Sequence, residues 1–529
     1  MLVAPFAVLF FKGINWDEFF HLHHMYEFSH GSPNRTLQTA YLRLVAWAEW
    51  LPLSSADRVV GARIVMAMCN LVTCASIFVL ARRFVTPRAA LLSVLVYASG
   101  GYVFTQATAL RADPPATAAI MLASVLLSRQ SEARLAKLIA AGVLIGVATA
   151  FTIKTVLLAP AVIALLWFGQ ADRGNLGHFV QSAAHVGAGA AFGFAFTIGL
   201  HSLFLLESPV ASSARTVKSA GAFVFSVGLF PQARYLMLQA LFAPQLVAGG
   251  ILFQRATKAI ALDRAERLTL GALCLPLLCL AVYSNSYPYF FVMLFAPLAV
   301  AIAPVMEWLC RIRRDAIVLV CSGASVAVML LREDFSVLPR QRTVSSMIES
   351  VLPPNAAYLD FCGMISNRER ALPILVSNWG LKAYKEGSYP SLSEKMATSD
   401  LAIVLANNSV LASALAPEMP ASAESLPQSD VALLRANFVP LWQNLVWVAG
   451  KRLASRTAAT QMHFPTPGHY RGNGESIVFD GKVFHNGDRL VVSRGVHTVG
   501  VPSDGEVTLR LDVTAPRASV SPGALFTDY

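Results

Sequence analysis

The sequence predicts a polytopic α-helical membrane protein with about eleven transmembrane helices, followed by a C-terminal α/β region and a small β-sandwich. Two observations carry this prediction. The 529-residue chain is 55% hydrophobic and only 14% charged, with a mean hydropathy of +0.54, which is more apolar than a soluble chain of this length. The charges are also unevenly placed. Up to residue 331 they fall in short punctuations between apolar runs, and from Arg332 onward they are scattered as in a water-facing domain.

Eleven apolar runs occupy about 1–12, 63–80, 89–107, 115–128, 138–152, 155–169, 180–206, 236–254, 268–284, 287–305 and 315–331. The connections after alternate runs are basic: Arg82, Arg83 and Arg88; Arg129, Arg134 and Lys137; Arg173; Arg255, Lys258, Arg264 and Arg267; Arg311, Arg313 and Arg314. All fall on one side, which the positive-inside rule makes cytoplasmic. A bacterial inner membrane with the C-terminal part in the periplasm is the expected location. The outward loops are then 13–62, around 108–114, around 153–154, 207–235 and 284–289.

The first run is too short for a full span, since its helical rise of about 17 Å compares with a hydrocarbon core of about 30 Å. It reads as the outer part of a first transmembrane helix whose start lies upstream, or as a short tilted helix at Pro5. It has no basic start and no small-residue cleavage site, so it is a poor signal peptide.

The net charge of +11 does not indicate nucleic-acid binding, because the basic residues cluster beside apolar runs, where cytoplasmic anchoring accounts for them. Cys69, Cys74, Cys274, Cys279 and Cys321 lie in apolar runs, Cys310 at a membrane edge and Cys362 alone in the C-terminal part. No disulfide framework is expected.

Past the spans, Ala357-Tyr-Leu-Asp-Phe361 and Asp400-Leu-Ala-Ile-Val-Leu405 read as short strands. From about Met462, short β runs are punctuated by Asp480-Gly481, Asn486-Gly487 and Arg494-Gly495, which are hairpin signals. The divisions are therefore 1–331, a transmembrane domain; 332–455, an α/β region; and 456–529, a β-sandwich.

Chemistry-bearing residues concentrate in the outward loops. Asp17 and Glu18 follow the first run directly; they fit a surface helix cap or a general base placed where a lipid headgroup arrives. Leu110-Arg111-Ala-Asp113-Pro114-Pro115 fits another helix start, with Arg111 and Asp113 also able to hold a phosphate and a hydroxyl. Lys154 lies at an apolar outer turn, either snorkelling or contacting phosphate. Arg215, Lys218 and Arg234 are weaker candidates. His21, His23, His24 and His30 invite a metal reading, with Asp17 and His21 on one helical face, but no second cluster completes a coordination sphere.

Together, Trp16-Asp17-Glu18, Leu110-Arg111-Ala-Asp113-Pro114, the Lys154 turn and Asn285-Ser-Tyr287-Pro-Tyr289 resemble the GT-C glycosyltransferases over about residues 1–331. The resemblance is to the branch of protein O-mannosyltransferases and lipid A aminoarabinose transferases. It implies inverting transfer of a hexosyl or pentosyl group from a polyprenyl-phosphate sugar to an envelope acceptor: lipopolysaccharide, a glycolipid or another glycan. Asp17 would be the base, and Glu18 would orient it or help hold a cation. Asp113 would position acceptor or metal, Arg111 and Lys154 would stabilise the departing phosphate, and Tyr287 and Tyr289 would line the donor cavity. Whether a divalent cation takes part is left open. Tyr470–Asp512 looks like an accessory sugar-binding module, with structural packing as the alternative. A lipid-linked oligosaccharide transporter would place ionisable groups at mid-membrane, whereas here they sit at span ends. A non-catalytic glycan-binding scaffold is the other rival.

Overall fold

In the computed structural model, the residues described are 4–29, 39–128, 134–170, 175–203, 228–353, 355–419, 422, 424–474, 476–502, 504–514 and 523–526. His30, Arg129, Arg173, Arg215 and Lys218 lie outside them.

Three described helices, Ser55–Ala81, Arg134–Phe151 and Leu176–Ser202, are long and apolar enough to cross a membrane. The number rises to six if each bent pair is one span: Ala233–Phe242 with Pro244–Ala259, Phe290–Ala301 with Ala303–Arg311, and Ala316–Arg332 with Val337–Val351. Other predicted runs fold as shorter apolar helices, Pro87–Ala98, Asp113–Leu127 and Ile153–Phe168. The first contains only the Ala4–Val8 helix among its described residues. The 268–284 run divides into Arg264–Ala272 and a 3-10 turn, Leu275–Ala281, with Pro276 near its start.

The break in the 89–107 run has a clear cause. The Pro87–Ala98 helix stops before Gly101, whose φ of +58° is a conformation glycine adopts without penalty. Gln239 fills the gap: its Nε2 donates to the Gly100 carbonyl at 2.9 Å and its Oε1 accepts from the Tyr102 amide at 2.9 Å. A side chain from another helix thus satisfies the backbone groups freed by the break.

The Arg134–Phe151 and Leu176–Ser202 helices pack through reciprocal glycines four residues apart. A Cβ on Gly142 or Gly146 would meet the Val186 or Ala190 carbonyl, and one on Gly189 or Gly193 would meet the Ile139 or Val143 carbonyl. Backbones this close gain dispersion contacts where lipid offers no hydrophobic drive.

The chain then passes into eleven described strands: β1 Ala357–Leu359, β2 Leu401–Leu405, β3 Phe438–Trp442, β4 Val446–Leu453, β5 Thr460–Phe464, β6 Gly468–Asn473, β7 Ser476–Phe479, β8 Lys482–His485, β9 Arg489–Val492, β10 Gly495–Gly500 and β11 Val507–Leu511. One sheet runs β1-β2-β4-β11-β6-β9 with β3 also on β4; the other runs β5-β10-β7-β8. The first sheet joins strands from both sides of residue 455, the expected boundary, so the two C-terminal regions share a sheet. Phe464 in β5 meets Tyr470 in β6 and Phe479 in β7, each at 5.7 Å between ring centroids, and so joins the two sheets.

Of the three expected hairpin turns, one joins paired strands. Asp480 and Gly481 both take positive φ, 48° and 78°, and turn β7 onto β8. Asn486-Gly487 and Arg494-Gly495 instead carry the chain between sheets, since β9 pairs with β6 while β8 and β10 belong to the other sheet. Turn chemistry reports a reversal of direction, not which strand comes next to which.

Candidate active site

The Trp16–Ser29 helix begins on Asn15, not on Asp17. The Asp17 amide donates to Asn15 Oδ1 at 3.0 Å, and Glu18 Oε1 accepts from the Asn15 amide at 3.1 Å. This reciprocal cap relieves Asp17 of a capping role. Nor is either carboxylate solvated: Asp17 is 8% exposed and Glu18 0%.

Glu18 is held from several directions. Arg63, itself 1% exposed, forks onto it, Nε to Oε2 at 2.8 Å and Nη2 to Oε1 at 2.6 Å. The Leu110 amide adds a bond of 2.9 Å to Oε2. The remaining guanidinium donors reach the carbonyls of Leu9, Lys12 and Gly13 at 3.1, 3.0 and 2.9 Å. Burial pushes the Glu18 carboxyl up, but the Arg63 charge and hydrogen bonds, with the Leu110 amide, outweigh it and hold the group below its ordinary range. With four donors on its two oxygens, from Asn15, Arg63 and Leu110, Glu18 ties the first loop to the Ser55–Ala81 helix.

Asp17 points the other way and pairs with Arg111 Nη1. Arg111 Nε lies 3.5 Å from Asp113 Oδ2, and Lys154 Nζ lies 2.5 Å from Asp113 Oδ1. Asp113 opens the Asp113–Leu127 helix ahead of Pro114 and Pro115, where the helix dipole favours an anion. Lys154 comes from the 3-10 segment Ile153–Leu158. The four side chains form one alternating row, anion, cation, anion, cation. Tyr289 is its floor: the guanidinium of Arg111 is 3.5 Å and the ammonium of Lys154 4.6 Å from its ring centroid. Tyr289 hydroxyl donates to Asn285 Oδ1 at 2.6 Å. Tyr287 stacks on Tyr289 at 6.0 Å and meets Tyr235 at 5.7 Å.

The structure therefore brings together Asp17, Arg111, Asp113, Lys154, Tyr287 and Tyr289 from four separate stretches of chain. Arg234 is placed over Tyr235, 5.9 Å from its ring centroid. His21 packs in the interior beside the row. Its ring meets buried Tyr41 at 5.6 Å, and burial pushes it down to about 3, so it is neutral. His24 bonds Glu27 at 2.6 Å. Among the described residues no three His, Cys, Asp or Glu side chains converge on a metal position.

Sequence reasoning missed Arg63, Asn15 and Tyr41. Arg63 stands at the edge of an apolar run, and only its isolation there marks it.

Comparison with known proteins adds two findings. The family described as dolichyl-phosphate-mannose-protein mannosyltransferase matches residues 44–201, a stretch that includes Arg63, Arg111, Asp113 and Lys154. No curated protein matches. Among solved structures, ArnT from Cupriavidus metallidurans in the apo state aligns over 85% of this chain and 96% of its own, with a TM-score of 0.52 and 12% identity. ArnT from the same organism bound to undecaprenyl phosphate aligns over 66% and 70%, with a TM-score of 0.45 and 15% identity. The chain thus has the fold of ArnT, the GT-C fold that its outward motifs resemble.

Proposed function

We propose that this protein is an inverting glycosyltransferase that moves a sugar from a polyprenyl-phosphate donor to an envelope acceptor, on the periplasmic side of a bacterial inner membrane. The observation that carries the proposal is the buried alternating row of Asp17, Arg111, Asp113 and Lys154 over Tyr289. A phosphate arriving there finds two cations prepaid in position, and it exchanges their carboxylate partners for its own oxygens. Arg111 and Lys154 then stabilise the charge that grows on the departing lipid phosphate. Asp17, released from Arg111, takes the proton of the acceptor hydroxyl as that oxygen attacks the anomeric carbon. The sugar–phosphate bond breaks on the opposite face, giving inversion. Asp113 is a positioning residue that keeps the two cations apart and aimed. Tyr287 and Tyr289 line the donor cavity.

ArnT of the same fold binds undecaprenyl phosphate, a lipid of the proposed class. On this reading residues 1–331 hold the chemistry, and 332–455 and 456–529 close it from the water side. The closure is supported by Gly13 amide to Glu333 at 3.1 Å, Ile14 amide to Gln341 at 2.8 Å, the Trp16 ring 5.7 Å from Phe361 and the Phe19 ring 6.1 Å from Phe526.

The test compares envelope glycolipids and glycans of a deletion strain with its parent by mass spectrometry. One sugar mass should be missing and should return with the wild-type gene. Identical profiles under conditions where the gene is expressed would reject the proposal.

A further inference from the structure

The segment between the catalytic helix and the Ser55–Ala81 helix folds as two short 3-10 helices, Ala40–Leu44 and Ala46–Trp50. A 3-10 helix has three residues per turn, so residues three apart eclipse one another. Three rows result. Leu42, Val45 and Ala48 are all 0% exposed. Arg43, Ala46 and Glu49 are partly covered. Leu44, Trp47 and Trp50 face outward, at 42%, 37% and 82% exposure, and Leu53 continues their line at 43%. Large apolar groups in such a row are costly to leave in water.

We propose that the Leu44, Trp47, Trp50 and Leu53 ridge seats in the outer-leaflet interface of the bilayer and fixes the depth of the catalytic helix. Two features point to lipid as the occupant. The ridge leads directly into the Ser55–Ala81 helix, long and apolar enough to cross a membrane, whose own outward stripe of Ile64, Met68 and Leu71 begins about three turns further on. Its composition of tryptophan flanked by leucine also suits the headgroup boundary, where an indole buries its ring and keeps its N–H polar. Three neighbours of the ridge in the same segment transmit the position inward. Arg43 lies over the Phe28 ring at 4.6 Å, Glu49 faces Arg58 at 3.4 Å, and Tyr41, one step before Leu44 in the row, packs on His21 beside the charged cluster.

The full chain is reconstituted in phosphatidylcholine vesicles whose acyl chains carry bromine at shallow or deep positions. Subtracting the emission of Trp50→Phe from that of the wild type isolates Trp50, and Trp47→Phe provides an independent second position. Expected are loss of Trp50 and Trp47 emission to shallow bromine, less loss to deep bromine, and protection from aqueous iodide. Emission quenched by iodide and indifferent to brominated lipid would overturn the proposal. The measurement needs no turnover, so it is independent of the reaction proposed above.

Discussion

Asp17 and Glu18 are neighbours in sequence, both buried and both paired with an arginine, yet they occupy different kinds of environment. Around Glu18 every contact closes: a forked guanidinium, two backbone amides and three carbonyls on the far side of Arg63. Around Asp17 the charges are shared along a row, with Arg111 between two carboxylates and Asp113 between two cations, over an aromatic floor. A saturated ion pair is framework, because any ligand must break more bonds than it can replace. On the proposed function the shared row is the site, because an incoming anion would exchange partners with little rearrangement. The difference lies in the completeness of each pair, which burial alone does not reveal.

The closed pair can be broken first. Arg63→Met leaves Glu18 charged and uncompensated, and removing one partner of such a pair costs about 3–5 kcal/mol. Loss of folded protein is expected on size-exclusion chromatography, with a large fall in Tm. A variant of normal Tm would show that the pair is not framework.

In the open row, Lys154→Met should act on ligand more than on folding. Losing one charge-assisted contact of about 1.5–3 kcal/mol weakens binding of undecaprenyl phosphate roughly 10–100-fold, as read by titration of the purified protein. Unchanged affinity would remove Lys154 from the phosphate site.

A smaller effect tests the edge of the framework. Burial pushes the Glu49 carboxyl up to about 7, even with Arg58 nearby. Its folded form therefore binds a proton more tightly than its unfolded form, so stability falls as pH rises from the ordinary carboxylate range through 7. The change is on the order of 1–3 kcal/mol. Glu49→Gln should flatten that part of the pH profile of Tm and raise Tm above pH 7. An unaltered slope would assign the pH dependence elsewhere.

The contrast between the two pairs also shows what was legible in the sequence. That Asp17, Arg111, Asp113 and Lys154 lie together was expected from the alternation of basic loops, and Tyr287 and Tyr289 joined them through the resemblance of their turn. Strands at 357–359 and 401–405 followed from short apolar runs. The Glu18–Arg63 pair was not legible, because the partners are 45 residues apart and no local pattern records a contact of that span. A cap at Asp17 was one of two readings of that residue; Asn15 is an equally good cap, and only geometry chooses between them. The reciprocal glycines of 142, 146, 189 and 193 were present in the sequence, but they acquire meaning only once the two helices are known to be neighbours. The sheet exchange after Asn486-Gly487 is likewise a tertiary choice.

The most direct test of the central claim is Asp17→Asn in the purified, reconstituted protein, with Tm and sugar transfer measured on the same sample. The amide keeps the shape and a hydrogen-bond acceptor for Arg111 but cannot take the acceptor proton. The account predicts an unchanged Tm with transfer lowered by about 10²–10⁴-fold, while Glu18→Gln lowers Tm. Full transfer by Asp17→Asn at normal Tm would contradict it.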